Sequence, residues 1–288
     1  MTSEIFSETT EVSEEGVLTQ GDVLKSVEPD VDAWRQHLVV VTADCDLAYR
    51  KYGGQLSCIP ILSADRYANE FLLEPEIQKV TERLKEAFVK LIHTAQQSEA
   101  PVHDYVPITP GRAYDWALEA ELDDMSQVLP TLDIEKAEPL HRLLRETRGP
   151  ESTYVATLEH LCEAKRALGD HKSTPDARKS VANRLAKQMV SLPGDAMFLR
   201  SLGPGLSEGY VAYLRRIIEV PDTEVAINVP QATEGRAYER VARLTSPYVY
   251  GLTQKLASVF SSIGLPGAYE DSRNSYIDSF AAPWGETT

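Results

Sequence analysis

Apolar residues follow two different periods along the chain. Near both ends they fall in short consecutive or alternating runs, a pattern that predicts strands. The first run covers residues 38–42, and the second covers residues 56–61 after the Gly53-Gly54 pair. Because Pro60 lacks a backbone donor, the second run is predicted to lie near a sheet edge, and the glycine loop suggests a β-meander. Further strands are predicted at residues 196–202, 210–220, 224–229 and 238–244, and residues 102–108 are a candidate return strand.

Helical periodicity occupies the middle of the chain. Steps of three and four between apolar residues such as Ile77, Val80 and Leu84 predict an amphipathic helix within residues 75–100, and residues 112–190 continue in the same manner. A last helix is predicted at residues 247–263. Ser246 would cap it and Pro247 would begin it, and its apolar stripe is continuous.

The order of these segments predicts an α+β fold. Neither strand-rich part alone offers enough strands for a stable core. We therefore expect one small β-barrel, assembled from residues 16–110 and 191–267 with its C-terminal helix, and split by helical insertions at residues 75–100 and 111–190. Two β domains flanking a helical domain are the alternative. Residues 1–15 are predicted to be an acidic disordered tail. Residues 268–288 are predicted to be a polar tail whose aromatic residues are suited to docking on the body or on a partner chain.

Charge and cysteine content narrow the function classes. The chain has 29 Lys and Arg against 44 Asp and Glu, a formal net charge of −15. Such a surface repels phosphate at long range, so nucleic acid is an improbable partner. Three cysteines without a CxxC motif, no signal peptide and no membrane-length apolar stretch predict a cytoplasmic protein. No phosphate-cradling glycine motif is present, and no cofactor is predicted.

The most suggestive cluster for chemistry is Thr42-Ala43-Asp44-Cys45-Asp46, at the end of the first predicted strand. Asp44 and Asp46 are suited to acid–base work or to binding a divalent cation, and Cys45 would need a lowered pKa to act as a nucleophile. The competing and favoured interpretation is an Asx-type turn in which one Asp caps backbone amides and Cys45 is buried. A metal site would need a further ligand, such as His103 or Asp104.

Arginines near the C-terminal strand form a second candidate site. On a strand at residues 238–244, Arg236 and Arg240 would share a face while Arg243 would point to the opposite one. Such a face could hold phosphate despite the net charge. The commoner explanation for such arginines is that their exposed charges protect an edge strand from pairing with another chain.

Two short parts of the sequence resemble known groups of proteins. The first consists of Gly21-Asp22, residues 39–42 and residues 58–61, which resemble the PemK/MazF-like family of SH3-like barrels. That resemblance implies RNA cleavage, with Thr42 as the strand-end hydroxyl and Arg35 as the candidate for the family's loop arginine. The Asp-Cys-Asp sequence that follows Thr42 departs from the toxin pattern.

The second resemblance covers the segment VVVTADCDL together with residues 245–266. It is similar to a group of bacterial proteins associated with multi-gene conflict or phage-defence loci.

These observations lead to one functional prediction and two alternatives. The chain is predicted to be a non-catalytic protein-interaction or sensing component of a bacterial conflict, phage-defence or toxin–antitoxin-like system. Its partner would be another protein of that system. The first alternative is a PemK/MazF-like endoribonuclease that uses Thr42 and Arg35. The second is a metal-dependent hydrolase built on Asp44 and Asp46.

Overall fold

A computed structural model describes residues 7–12, 16–99, 108–146, 153–170, 174–226, 235–261 and 267–285. The chain divides into two compact units. We call residues 1–61, 193–207 and 212–288 the β unit, and residues 62–192 and 208–211 the helical unit. The predicted mixture of helix and sheet is confirmed.

Among the described residues, nine strands form one sheet that curls into half of a barrel. They are β1 (Thr9–Thr10), β2 (Asp22–Ser26), β3 (His37–Val40), β4 (Gln55–Ser63), β5 (Ala196–Leu199), β6 (Tyr210–Tyr213), β7 (Ile218–Pro221), β8 (Val225–Ala226) and β9 (Tyr238–Leu244). The main order is β1-β9-β2-β3-β4-β6-β5, with β7 also paired to β4 and β8 to β9. Strands from both outer parts of the sequence therefore share a sheet, as predicted, and β2, β3 and β4 form the expected antiparallel meander.

The helices follow the same chain order. They are α1 (Ala33–Gln36), α2 (Asp44–Ala48), α3 (Ala64–Tyr67), α4 (Glu74–Glu99), α5 (Pro110–Glu119), α6 (Leu122–Val128), α7 (Ile134–Arg145), α8 (Tyr154–Ala167), α9 (Thr174–Val190), α10 (Ser246–Ser261) and α11 (Gly267–Gly285). A π-helical turn over Ala68–Leu73 joins α3 to α4, and a 3-10 turn over Asp222–Glu224 follows β7.

Each unit has its own apolar core. In the β unit, alternate residues of the strands pack together because side chains alternate between the two faces of a sheet; this core includes Leu24, Leu38, Val40, Leu56, Cys58, Val220 and Tyr238. In the helical unit, the predicted stripe of α4 forms the centre, with Leu84, Phe88 and Ile92 fully buried. The strand periodicity and the helix periodicity therefore each identified a core.

The turn before β2 depends on a glycine. Gly21 has a φ of +91°, a region that L side chains rarely adopt. A Cβ at this position would also lie 2.5 Å from Cγ2 of Val249 on α10. The sequence Gly21-Asp22 thus both starts β2 and lets α10 approach the sheet.

The N-terminal segment connects the two edges of the curled sheet. β1 pairs with β9, and the Glu8 carbonyl accepts a hydrogen bond from Thr245 N–H at 2.9 Å. The Glu8 carboxylate accepts the backbone N–H groups of Arg200 and Ser201, which follow the edge strand β5, at 2.6 and 3.0 Å. One acidic side chain therefore joins the part of the chain beside β1 to the part beside β5.

One of the two predicted tails needs correction. Residues 9 and 10 belong to the sheet, because their backbone groups pair with Arg243 and Leu244, so residues 1–15 are not a disordered tail throughout. In the predicted polar tail, residues 267–285 form the helix α11. Its described side chains are exposed, so burial leaves no periodic signal in the sequence.

Two predicted strands also differ from those observed. β4 is a central strand, because β3 lies on one side of it and β6 and β7 lie on the other. Pro60 is accommodated there opposite Leu38. The predicted strand at 210–220 is interrupted between β6 and β7. A return strand predicted at 102–108 falls almost entirely outside the described residues.

Candidate functional site

Several of the sequence-predicted site residues lie near one end of β2, β3 and β9, where Asp22, which was not predicted as a site residue, also lies. Asp22 begins β2, Thr42 and Asp44 follow β3, and Arg240 and Arg243 lie on β9. The segment before β2 links them: Gln20 N–H donates to Oδ1 of Asp44 at 2.8 Å, and the Gln20 side-chain amide donates to the Val41 carbonyl at 2.9 Å.

Asp22 is the centre of this cluster and is fully buried. Arg243 Nε donates to its Oδ1 at 2.6 Å, and Arg243 Nη2 donates to its Oδ2 at 3.2 Å, a bidentate pair. Arg240, whose side chain is also fully buried, donates to Oδ2 at 3.4 Å, and Thr19 N–H donates to the same oxygen at 2.9 Å. Both guanidinium groups also donate to the Val17 carbonyl. This network neutralises a carboxylate that would be very costly to bury alone.

A β-bulge brings the two arginines to one carboxylate. Val23 faces Ala242 but the next residue, Leu24, faces Arg240, so β9 contributes one extra residue there. The prediction that Arg243 points away from Arg240 was wrong because simple alternation ignores this bulge. The Asp22 carboxylate also raises the pKa of Arg243, chiefly through the hydrogen bond between them.

The predicted basic face of Arg236 and Arg240 is not present as one surface. Arg240 is buried against Asp22, whereas Arg236 is half-buried and donates to the Thr223 carbonyl. β9 lies between β1 and β2, so protection of an edge strand does not explain these residues either.

Thr42 is nearly buried, and its hydroxyl makes contacts within the sheet. Its hydroxyl accepts the Ser57 N–H at 2.8 Å and lies 3.5 Å from the Ser57 carbonyl oxygen. The hydroxyl thereby continues the β3–β4 pairing one step beyond the end of β3.

The Asp44-Cys45-Asp46 segment begins the short helix α2 instead of forming a turn. Carboxylates in the first turn suit the positive end of a helix dipole. Cys45 is exposed, so the prediction of a buried thiol was wrong for it. Its Sγ lies 3.7 Å from Oδ1 of Asp46. Cys58 is the buried thiol, and burial raises its pKa to about 12.

Arg35 lies at the other end of β3 from Thr42. It is the third residue of α1, which directly precedes β3, and its side chain forms a hydrogen bond with the Tyr238 side chain. The intervening extended residues separate positions 36 and 42 by roughly 20 Å. The structure does not bring Arg35 and Thr42 together.

The candidate metal ligands form no complete set within the described ranges. No group of three or more His, Cys, Asp and Glu side chains that could hold a metal ion occurs there. His103 and Asp104, the proposed additional ligands, lie outside the described residues. Asp44 and Asp46 are thus two carboxylates on one short helix.

Asp22 is the residue that the chemical reasoning missed. The sequence analysis named it only within the Gly21-Asp22 motif, although a lone Asp beside a glycine at the start of a strand is compatible with a buried ion pair. Its partners lie more than 200 residues later in the chain, and no local spacing links them.

Comparison with protein-family models, with curated proteins and with solved structures found no match. In the part of the chain that the structure describes, no helix has both the length and the apolar character needed to cross a bilayer. A function for this protein must therefore be inferred from the residues and the geometry of the chain itself.

Proposed function

We propose that this protein is a non-catalytic protein-interaction component of a bacterial conflict, phage-defence or toxin–antitoxin-like system, acting in the cytoplasm. The observation that carries the interaction role is the exposed apolar surface of α10. The biological setting comes from the sequence resemblance to proteins of such loci.

α10 is unusually apolar for a helix with so little buried surface. Its 16 residues, about 24 Å long, include one charged residue, Lys255. Among them only Leu252 is buried, although Leu256 and Val259 continue the same stripe and are half-buried. Phe260 is 46% exposed and Tyr250 is 72% exposed. Exposed aromatic side chains along an apolar helix are typical of an interaction site.

α11 extends the same surface chemistry. Its described side chains are exposed, and they include Tyr269, Tyr276 and Ile277. Aromatic residues of this kind are enriched in protein interfaces. Two consecutive C-terminal helices therefore offer apolar and aromatic groups to a protein partner.

The curled sheet supports a second part of the proposal. We assign it to the SH3-like barrels of the PemK/MazF type, as a scaffold without nuclease activity. The engagement of Thr42 with the Ser57 backbone favours a scaffold, as does the position of Arg35 beyond the opposite end of β3.

The interaction role is tested by a paired substitution on α10. Tagged wild-type protein, Phe260→Glu and Gln254→Glu would be recovered from the native host, and co-purifying proteins would be quantified by mass spectrometry. Gln254 is exposed and polar, so its substitution is the matched control. We expect a partner whose recovery falls at least about tenfold with Phe260→Glu and is unchanged with Gln254→Glu. If both variants retain every protein recovered with the wild type, α10 is not the interaction surface.

The non-catalytic part of the proposal has a separate test. Purified protein would be incubated with single-stranded RNA, with and without Mg²⁺ or Mn²⁺. We expect no cleavage above the background given by a denatured sample. Cleavage that Thr42→Ala abolishes would establish the endoribonuclease alternative, and metal-dependent hydrolysis lost in Asp44→Asn would establish the hydrolase.

A further inference from the structure

A cluster of arginine and aromatic side chains lies beside the start of β3, away from the Asp22 network. We define this arginine–aromatic cluster as Trp34, Tyr213 and Arg216, together with Arg35, which directly follows Trp34 in the chain and whose side chain contacts Tyr238. The Cζ atom of Arg216 lies 4.6 Å from the centroid of the Trp34 ring, and the Trp34 and Tyr213 rings meet edge to face at 5.4 Å and 69°. All four residues belong to the β unit.

The two guanidinium groups of the cluster are available to an anion. Arg35 and Arg216 are both exposed. Among the described residues, no carboxylate forms an ion pair with either of them, whereas the neighbouring Arg215 is bound by Asp195. The side chain of Arg35 is held by Tyr238, and that of Arg216 by the Trp34 ring. Such contacts reduce the conformational entropy that binding would cost.

We propose that the arginine–aromatic cluster binds a short acidic segment of a partner protein, through carboxylates on Arg35 and Arg216. The guanidinium group is planar and pairs with a carboxylate through two parallel hydrogen bonds. Ile217, next to Arg216 and 47% exposed, provides an apolar contact beside the charged groups. This proposal rests on the proposed interaction function and adds a second surface with its own partner chemistry.

The net charge of the chain favours a peptide over a nucleic acid. At about 0.15 M salt the Debye length is about 8 Å, so distant carboxylates are screened while contacting charges are not. A peptide with a few carboxylates would meet the cluster and its immediate neighbours, which include the Asp32 carboxylate that accepts the Trp34 N–H. A polynucleotide would extend its phosphates over the surrounding surface of a protein with a net charge of −15.

The test is a binding titration with a defined probe. A short fluorescein-labelled peptide that alternates Glu and Leu would be titrated with the full-length protein at about 0.15 M salt, followed by fluorescence anisotropy. We expect saturable binding that Arg216→Glu weakens at least about tenfold. The same peptide with Gln in place of Glu should not bind. Arg50→Glu, which makes the same charge change at another exposed arginine of the β unit, should leave the affinity within about twofold.

The remaining arms distinguish this proposal from its competitors. Trp34→Ala should also weaken binding, with thermal melting used to verify that each variant is folded. Absence of binding by the wild type, or equal losses with Arg216→Glu and Arg50→Glu, would overturn the proposal. So would an RNA oligonucleotide that binds more tightly than the acidic peptide and is released by Arg216→Glu. Phe260→Glu should not affect peptide binding, because Phe260 lies outside the cluster. A negative result in the peptide titration therefore leaves the α10 proposal standing, and a negative result in the co-purification experiment leaves the cluster proposal standing.

Discussion

The negative charge of Asp22 is balanced within the protein by two arginines, and a backbone amide donates a further hydrogen bond to its carboxylate. A β-bulge brings the two arginines to the same carboxylate. Asp22→Asn keeps the shape of the side chain but removes the negative charge with which Arg243 and the buried Arg240 pair. Because removing one partner of a buried ion pair is strongly destabilising, we expect the free energy of unfolding to fall by about 3–5 kcal/mol.

Urea denaturation would measure this loss. Asp30→Asn is the control, because Asp30 is exposed and its substitution should change stability by less than about 0.5 kcal/mol. Equal stability of the two variants would contradict the structural role of Asp22.

Thr42 makes a different prediction, because its hydroxyl completes a sheet contact. Thr42→Val preserves the branched shape but leaves the Ser57 N–H without its partner. We expect a loss of about 1–3 kcal/mol, most of which Thr42→Ser should avoid. If Thr42→Val is as stable as the wild type in thermal melting, the hydroxyl does not stabilise the sheet.

The cysteines differ in reactivity because they differ in burial. Burial raises the pKa of the Cys58 thiol to about 12 and also raises that of Cys162, and the raised pKa lowers the reactivity of both thiols. The exposed Cys45 should therefore be the one that iodoacetamide modifies in the folded protein. Mass spectrometry after digestion gives the site, and Cys45→Ser should remove the rapid modification. Labelling of Cys58 before unfolding would be the contrary result.

At the scale of elements, the end of α2 contains a residue in an unfavourable conformation. Arg50 has a φ of +53°, and around it Tyr49 N–H bonds to the Cys45 carbonyl and Lys51 N–H to the Asp46 carbonyl. Glycine is the usual residue at this left-handed position after a helix. Arg50→Gly should therefore raise the stability by about 0.5–1 kcal/mol.

The adjacent position provides the control for this prediction. Lys51→Gly adds the same chain freedom without relieving a positive φ, so it should not stabilise the protein. The denaturant midpoints of the two variants are compared with that of the wild type. The prediction requires a higher midpoint for Arg50→Gly alone. A higher midpoint for Lys51→Gly would show that the gain does not come from Arg50.

Elements with strong periodicity could be predicted from the sequence, and short or exposed ones could not. β9 was predicted with its observed bounds, and the stripes of α4 and α10 identified those helices. α2 has only five residues and no period to detect, so its acidic start resembled a turn. Exposed helices such as α11 lack the alternation between buried and exposed positions on which the prediction relies.

At the scale of the molecule, the sequence predicted that strands from the two outer parts form one sheet, because neither part had enough strands alone. It could not predict the composition of the site. Asp22 meets Arg243 only after the sheet has formed, and the bulge that aims Arg240 at the same carboxylate has no local sequence signal.

Glu8 provides a prediction at this scale, since it joins the two edges of the sheet. Glu8→Ala removes a charged acceptor from two backbone N–H groups, and we expect a loss of about 1.5–3 kcal/mol. Glu11→Ala, at an exposed position of the same segment, should be neutral in the same denaturation experiment. Loss of stability in both variants would point to the net charge instead of this contact.

The pairing of β2 with β9 also determines when the sheet can be completed during translation. β2, β3 and β4 leave the ribosome early, but their neighbour β9 follows only after the whole helical unit has been translated. At roughly 5–20 residues per second, the free edge of β2 waits on the order of ten seconds or more for its partner strand. Nascent chains of this protein should therefore depend on ribosome-associated holdases, and ribosome-stalled fragments ending before residue 238 should aggregate more readily than the full chain.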